Sequence, residues 1–283
     1  MKSNLRILWL ALCTLPVYLH AGTAQDPKMY QPAVREQSAR TADPIPAGTI
    51  LPLSLNSTLR SDKSQNGATI TATVMQDVPL DTGQILRKGT KVTGHVVEVS
   101  APGKGLDESR ISFKFDQVRL GELTVPITTT LRAVASMTAV LAATPELTSP
   151  DYADYAIQIG GDQISYGTDN PVMVGARVVG KYTSQGVLAN VDGDMGAPCG
   201  GRIDSNAYPQ AFWLFSVNAC GSYGFGDLKI LHSGSADPAG ETTLSSNRKA
   251  VKLGKGSAML LRVDGSEPEE ARAHTTLSRE TGQ

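Results

Sequence analysis

The chain reads as a mainly β protein, a β-barrel or β-sandwich with long loops and one disulfide, and three observations lead there. Glycine and proline are plentiful, 28 and 16 of 283 residues, above the ordinary share of roughly 12 %. Charged residues make up only 19 %, which disfavours long solvated helices and coiled coils. Short apolar–polar alternations recur between turn signals, the pattern of half-buried strands.

These alternations can be followed in order. Ile50, Leu51, Leu53 and Leu55 form the first run, and Ile70, Ala72 and Val74 alternate with Thr69, Thr71 and Thr73. Val92, Val96, Val97 and Val99 follow Gly89-Thr90. Ile111, Phe113 and Phe115 alternate with Ser112 and Lys114, and Leu123, Val125 and Ile127 alternate again. Ser64-Gln65-Asn66-Gly67, Asp81-Thr82-Gly83 and Ala101-Pro102-Gly103-Lys104-Gly105 separate the runs as turns. Ala133 to Ala143, rich in alanine and methionine, fits a short helix somewhat better than a buried strand. Val172 to Val179 is a candidate strand, Asn190 to Asn206 a loop, and Ala211 to Phe215 a dense apolar strand. Leu228 to Leu231 and Ala258 to Val263 complete the set.

One phrase recurs. Pro46-Ala47-Gly48-Thr49, Arg87-Lys88-Gly89-Thr90 and Gly254-Lys255-Gly256-Ser257 each place a glycine turn and a hydroxyl residue before a strand. The expected geometry is positive φ at the glycine, with the hydroxyl bonding back to the turn.

The termini read differently. Lys2 and Arg6 precede an apolar stretch from Ile7 to Ala21, with small residues at Ala21, Gly22 and Ala24, the layout of a cleavable secretory signal. The stretch is about 15 residues and contains Pro16, short of the ~20 that span a bilayer. Cleavage after Ala24 or Ala21 fits equally. It removes Lys2, Arg6 and no acid, taking the net charge from −1 to −3, so nucleic acid is not an expected partner. The expected organisation is a signal at 1–24, a flexible linker at 25–44, β regions at 45–132 and 133–265 in one domain, and a disordered tail at 266–283. No transmembrane segment is expected after signal cleavage.

Loss of Cys13 with the signal leaves Cys199 and Cys220, an even pair in an oxidising compartment, expected as a structural disulfide. A catalytic or metal-binding thiol pair would want CxxC spacing and a nearby histidine, and has neither. His95, His232 and His274 lack partners at metal-site spacing, so no metal and no cofactor are expected. Gly221-Ser222-Tyr223-Gly224 is one residue short of a nucleophile elbow and reads as a turn. Asp192-Gly193-Asp194-Met195-Gly196 lacks the acidic positions of a calcium loop. No catalytic residue is assigned.

Tyr208, Phe212, Trp213, Phe215, Tyr223 and Phe225 crowd into eighteen residues. They make either a stapled core strand or a stacking face for glycan or a partner protein.

The segment Ile45-Pro46-Ala47-Gly48-Thr49, Ile70-Thr71-Ala72-Thr73-Val74, Asp77-Val78, Leu86-Arg87-Lys88-Gly89-Thr90-Lys91-Val92-Thr93-Gly94, Arg110-Ile111, Phe115 and Val118 resembles the periplasmic β-domain of the TrbI-like conjugation and type IV secretion scaffold family. Arg87 stands where that family carries proline. The resemblance spans 45–118 and implies a β-barrel-like envelope domain without catalysis. Around Ala211 to Phe225 the second half is similar to uncharacterised exported bacterial proteins, a likeness that brings no activity. The expectation is an exported, periplasmic or secreted binding or scaffold protein whose partners are envelope proteins or cell-wall glycan. The alternative is a secreted hydrolase or carbohydrate-binding protein using the Tyr208–Phe225 face.

Overall fold

The computed structural model describes residues 45–101, 108–144, 155–161, 163–165, 171–174, 176–192, 199, 202–203, 207–247 and 250–265. The signal, linker, tail and the expected loop at 145–154 lie outside the described residues, as do His274, most of the Asp192–Gly196 loop and the tip of the hairpin at 102–107.

The first half forms β1 (Ile50–Leu55), β2 (Leu59–Arg60), β3 (Thr69–Val74), β4 (Val78–Pro79), β5 (Ile85–Leu86), β6 (Lys91–Ser100), β7 (Ser109–Leu120), β8 (Leu123–Pro126), β9 (Thr128–Ala135) and helix α1 (Met137–Ala143). The second half adds β10 (Tyr155–Ile157), β11 (Gln163–Ser165), β12 (Pro171–Val174), β13 (Arg177–Thr183), β14 (Gly186–Asp192), β15 (Arg202–Ile203), β16 (Pro209–Trp213), β17 (Gly221–Tyr223), β18 (Leu228–His232), β19 (Thr242–Ser246), β20 (Lys252–Leu253) and β21 (Ala258–Gly265).

The fold is mainly β and sandwich-like. Ten strands make one curled sheet in the order β17-β9-β21-β1-β3-β6-β7-β19-β18, with β8 attached to β7. First and last segments pair directly, Ile50 opposite Arg262, so the two halves of the chain share one sheet. A second sheet runs β12-β13-β14, with β15 and β16 both against β14. The end strands of the curled sheet approach each other. Leu131 N–H donates to Ser233 O at 2.7 Å and Ser222 Oγ to Leu228 O at 2.8 Å, but no ladder joins β17 to β18, so the barrel does not close.

Alternation sorts the side chains into two cores. Leu51, Leu53, Leu55, Ile70, Val74, Val92, Val96, Phe113, Phe115, Met259 and Leu261 fill the curled sheet. Ile50, Ala133, Ala135, Ala258 and Leu260 point outward and meet Val172, Val179, Val187, Ala189, Phe212 and Phe215 of the second layer. Alanines on that outer face let the second layer approach closely.

The recurring turn has the expected geometry and more. Gly48, Gly89 and Gly256 have φ of 85°, 91° and 84°. Thr49 and Thr90 hydroxyls donate to Pro46 O and Arg87 O, both at 2.6 Å, while at the third turn the Ser257 N–H makes the corresponding bond to Gly254 O. Each turn also clips a neighbouring strand. The glycine N–H donates to Val263, Val74 or Leu55, and the same residue's N–H returns a bond to the carbonyl after the glycine. A fourth copy at Gln65-Asn66-Gly67-Ala68 clips Val96 in the same way. Thus β1, β3, β6 and β21, four consecutive strands of the sheet, all begin from one turn design.

Three expectations are corrected. Ala133–Ala143 splits at Ser136, whose Oγ caps α1 by accepting Ala139 N–H at 3.2 Å, leaving the upstream part as strand β9. Val172–Val179 is the β12–β13 hairpin rather than one strand. Part of the expected loop Asn190–Asn206 continues β14 and contains β15.

Candidate functional site

The six aromatics do not form one face. Phe212 and Phe215 are fully buried and belong to the core between the layers, which removes them from any stacking surface. Phe225 is half-buried against the inner core, and Tyr208 is exposed. Tyr223 is half-buried, its hydroxyl accepting Cys220 N–H and donating to Cys220 O, both at 2.8 Å. That leaves Trp213, half-buried at the rim of the second core.

Trp213 sits in a costly backbone. Phe215 N–H donates to Phe212 O at 2.9 Å, closing a tight turn in which Trp213 is the first central residue. Its φ is 52°, and among the described residues it is the one non-glycine with positive φ. Such a turn ordinarily wants glycine there, and a bulky residue costs of order 1–3 kcal/mol. The surroundings hold the strain in place. Gln76 Oε1 accepts Trp213 N–H at 2.7 Å, and Gly186 backs so closely that a Cβ there would lie 2.6 Å from Trp213 Cα. Gln76 is buried, and its Nε2 has no hydrogen-bond partner among the described residues.

Polar groups gather at the same seam, where the β13–β14 hairpin tip meets the link from β3 to β4. Asp77 N–H donates to Gln185 Oε1 at 2.7 Å. The Asp77 carboxylate accepts Lys88 N–H at 2.8 Å and Arg87 Nη1 at 3.0 Å. The Lys88 amide first, and the Arg87 guanidinium after it, hold the Asp77 carboxyl below the usual carboxylate range. Tyr182, Val187 and Trp213 lie in one cross-strand row over β13, β14 and β16.

At the other end of the second layer, Cys199 and Cys220 form the expected disulfide, with Cα atoms 5.3 Å apart. It ties the β14–β15 connection to the start of β17, and so one layer to the other. Gly221-Ser222-Tyr223, expected as a turn, is this short strand, parallel to β9. Its Ser222 hydroxyl is engaged with Leu228 O. Arg132 reinforces the junction. It is the extra residue of a bulge against β21, buried, and donates from Nε to Ala219 O at 3.1 Å and from Nη2 to Val217 O at 2.7 Å.

His95 and Asp116 face outward on β6 and β7 with Nδ1 and Oδ2 2.9 Å apart. Thr69 stands opposite His95 on β3. His232 Nε2 lies 3.2 Å from Pro238 O. Among the described residues no group of three His, Cys, Asp or Glu side chains converges as a metal site.

The chain matches no family model and no curated protein.

The disulfide and the strand-rich fold are compatible with an extracellular or periplasmic location, and no described helix is long and apolar enough to cross a membrane. Gln76 and Gln185 escaped sequence reasoning because lone glutamines carry no motif; only the fold brings them to Trp213.

Proposed function

We propose that the chain is an exported envelope protein that binds or scaffolds other envelope components, in the periplasm or outside the cell, without catalysing a reaction. The observation that carries this reading is the Cys199–Cys220 bond between the two layers. It is the kind of staple that persists in oxidising compartments, and here it links one layer to the other. Met173 and Val178, an exposed cross-strand pair at the free edge of the second sheet, suit contact with a partner surface. The TrbI-like grammar of 45–118 agrees with an envelope scaffold.

The test is expression of the full chain in a bacterial host, followed by periplasmic fractionation, mass determination of the mature N-terminus and native thiol alkylation. Periplasmic protein beginning near Gly22 or Gln25, with no alkylated cysteine, is expected. Cytoplasmic retention with two reactive sulfhydryls would sink the reading. The second reading, a secreted hydrolase, draws on the His95–Asp116 pair, which is oriented as a general base would be. A hydrolytic activity lost in His95→Ala would establish it instead.

A further inference from the structure

We propose that Trp213 and the polar rim of Asp77, Arg87 and Gln185 form a saccharide-binding subsite, with the indole stacking on the apolar face of an N-acetylated hexose. This rests on the reading of the chain as an envelope binding protein and names the glycan class that the site takes.

The backbone at Trp213 occupies a position built for glycine, φ 52°, yet it bears the largest side chain available. Glycine would relax the turn and leave its Phe215–Phe212 bond intact, so the turn itself does not account for the ring. Trp213 is only partly buried against the second core, so part of the residue reaches solvent. A partly exposed tryptophan on a backbone held this firmly offers a stacking group with little conformational freedom to lose on binding.

The groups around it suit a hydroxyl- and amide-bearing guest. Asp77 presents an ionised acceptor, its side chain 31 % exposed. Arg87 uses one donor on Asp77 and is 71 % exposed, leaving further N–H groups toward solvent. An acetamido substituent carries one N–H donor and one carbonyl acceptor, matching the carboxylate and the guanidinium. Gln76, enclosed behind the Trp213 backbone and accepting its N–H, fixes that backbone rather than meeting the guest.

The test uses the mature chain beginning at Gln25. Trp9 is then gone and Trp213 is the sole tryptophan, so its emission reports this site alone. Titration with the β-1,4-linked N-acetylglucosamine tetramer is expected to change the emission saturably, with cellotetraose binding about tenfold more weakly, the value of one lost amide contact. By calorimetry, Trp213→Gly is expected to abolish binding while keeping the fold, and Arg87→Ala to weaken it about tenfold. A flat titration at millimolar tetramer, undiminished affinity in both variants, equal affinity for cellotetraose, or binding of a proline-rich peptide in place of the saccharides each overturns the proposal. Export is read separately by fractionation, so a flat titration on correctly exported protein counts against this subsite and leaves the envelope reading standing.

Discussion

Replacing Arg132 with methionine tests how the two layers are joined. The bulge pairs Leu260 with Ala133 and Leu261 with Leu131, so Arg132 has no opposing residue and its side chain leaves the ladder. The guanidinium is buried, 5.8 Å from the Phe212 ring centroid, and bound to the carbonyls of Val217 and Ala219. Two opposing contributions decide the outcome. Hydrogen bonds from a charged donor are worth about 1.5–3 kcal/mol each, and their loss strands two buried acceptors. Against this, burial disfavours the charge, with Arg262 adding like-charge repulsion, and both lower the Arg132 pKa from its ordinary value. Methionine escapes that penalty of several kcal/mol. Because the acceptors are main-chain groups that cannot move to water without breaking the turn into β17, the loss wins, and a net cost of about 3 kcal/mol is expected. For a domain of this size that lowers the melting temperature by about 6–12 °C. Scanning calorimetry of the parent and variant proteins measures it. A variant melting within about 2 °C of the parent, or above it, would show that desolvation outweighs the clamp and refute the argument.

Three further outcomes are expected. Cys199→Ser with Cys220→Ser opens a loop of sequence separation 21 and costs about 3 kcal/mol, without unfolding, because Tyr223 and Arg132 still hold the Cys220 end; guanidinium titration measures this, and an unchanged midpoint would contradict it. Asp77→Asn removes a carboxylate whose pKa is lowered in the folded state, so its stabilisation is complete above the ordinary value near 4 and fades as pH falls through the lowered folded value. The variant is therefore about 0.5–1 kcal/mol weaker at pH 7, a modest figure because the group is partly solvated, and the two stability curves converge in acid; divergence in acid would be the wrong sign. Gly94→Ala puts a Cβ 1.8 Å from Lys114 O and 2.8 Å from Phe115 Cα, a backbone clash at the β6–β7 bulge that costs more than about 3 kcal/mol; a soluble variant with parental urea midpoint would show that the bulge relaxes.

Strands β3 and β6 of the curled sheet were legible because they turn one face to water and alternate accordingly. The turn phrase was legible through its hydroxyls, and Gln65-Asn66-Gly67-Ala68 escaped because Ala68 replaces the hydroxyl. Its backbone N–H still bonds Gln65 O, so the glycine and the clip to the next strand, rather than the hydroxyl, define the turn. Strand β19 hid behind its composition. Thr242 and Ser246 are buried polar residues, their hydroxyls satisfied by Ser233 O at 3.3 Å and Asp227 Oδ2 at 2.6 Å, so no apolar period marks the strand. The aromatic cluster was misleading for a geometric reason. The turn at Trp213 reverses the chain between Phe212 and Phe215, so both rings enter the same core, and proximity in sequence says nothing about a shared surface. The site itself was invisible, since Gln76 and Trp213 are separated by 137 positions.

The chemistry of the contacts between layers bears on how the seam responds to pH. Gln76 holds Trp213, Gln185 holds Asp77, and Gln210 Oε1 accepts Ile50 N–H at 3.0 Å. All three are neutral amides and do not titrate; nor does the disulfide, while Arg132 stays charged at any ordinary pH. The seam therefore keeps its geometry as pH changes. The rim does not, because Asp77 is held in place by charge-assisted bonds that weaken on protonation. Acidification thus acts on the polar edge around Trp213 before it acts on the indole's backbone. A ligand gripped mainly by stacking should lose contacts in acid stepwise, with the ring's own environment changing only when the fold gives way. Trp213 emission and calorimetric affinity, followed together down the pH scale, should therefore separate, with affinity falling first.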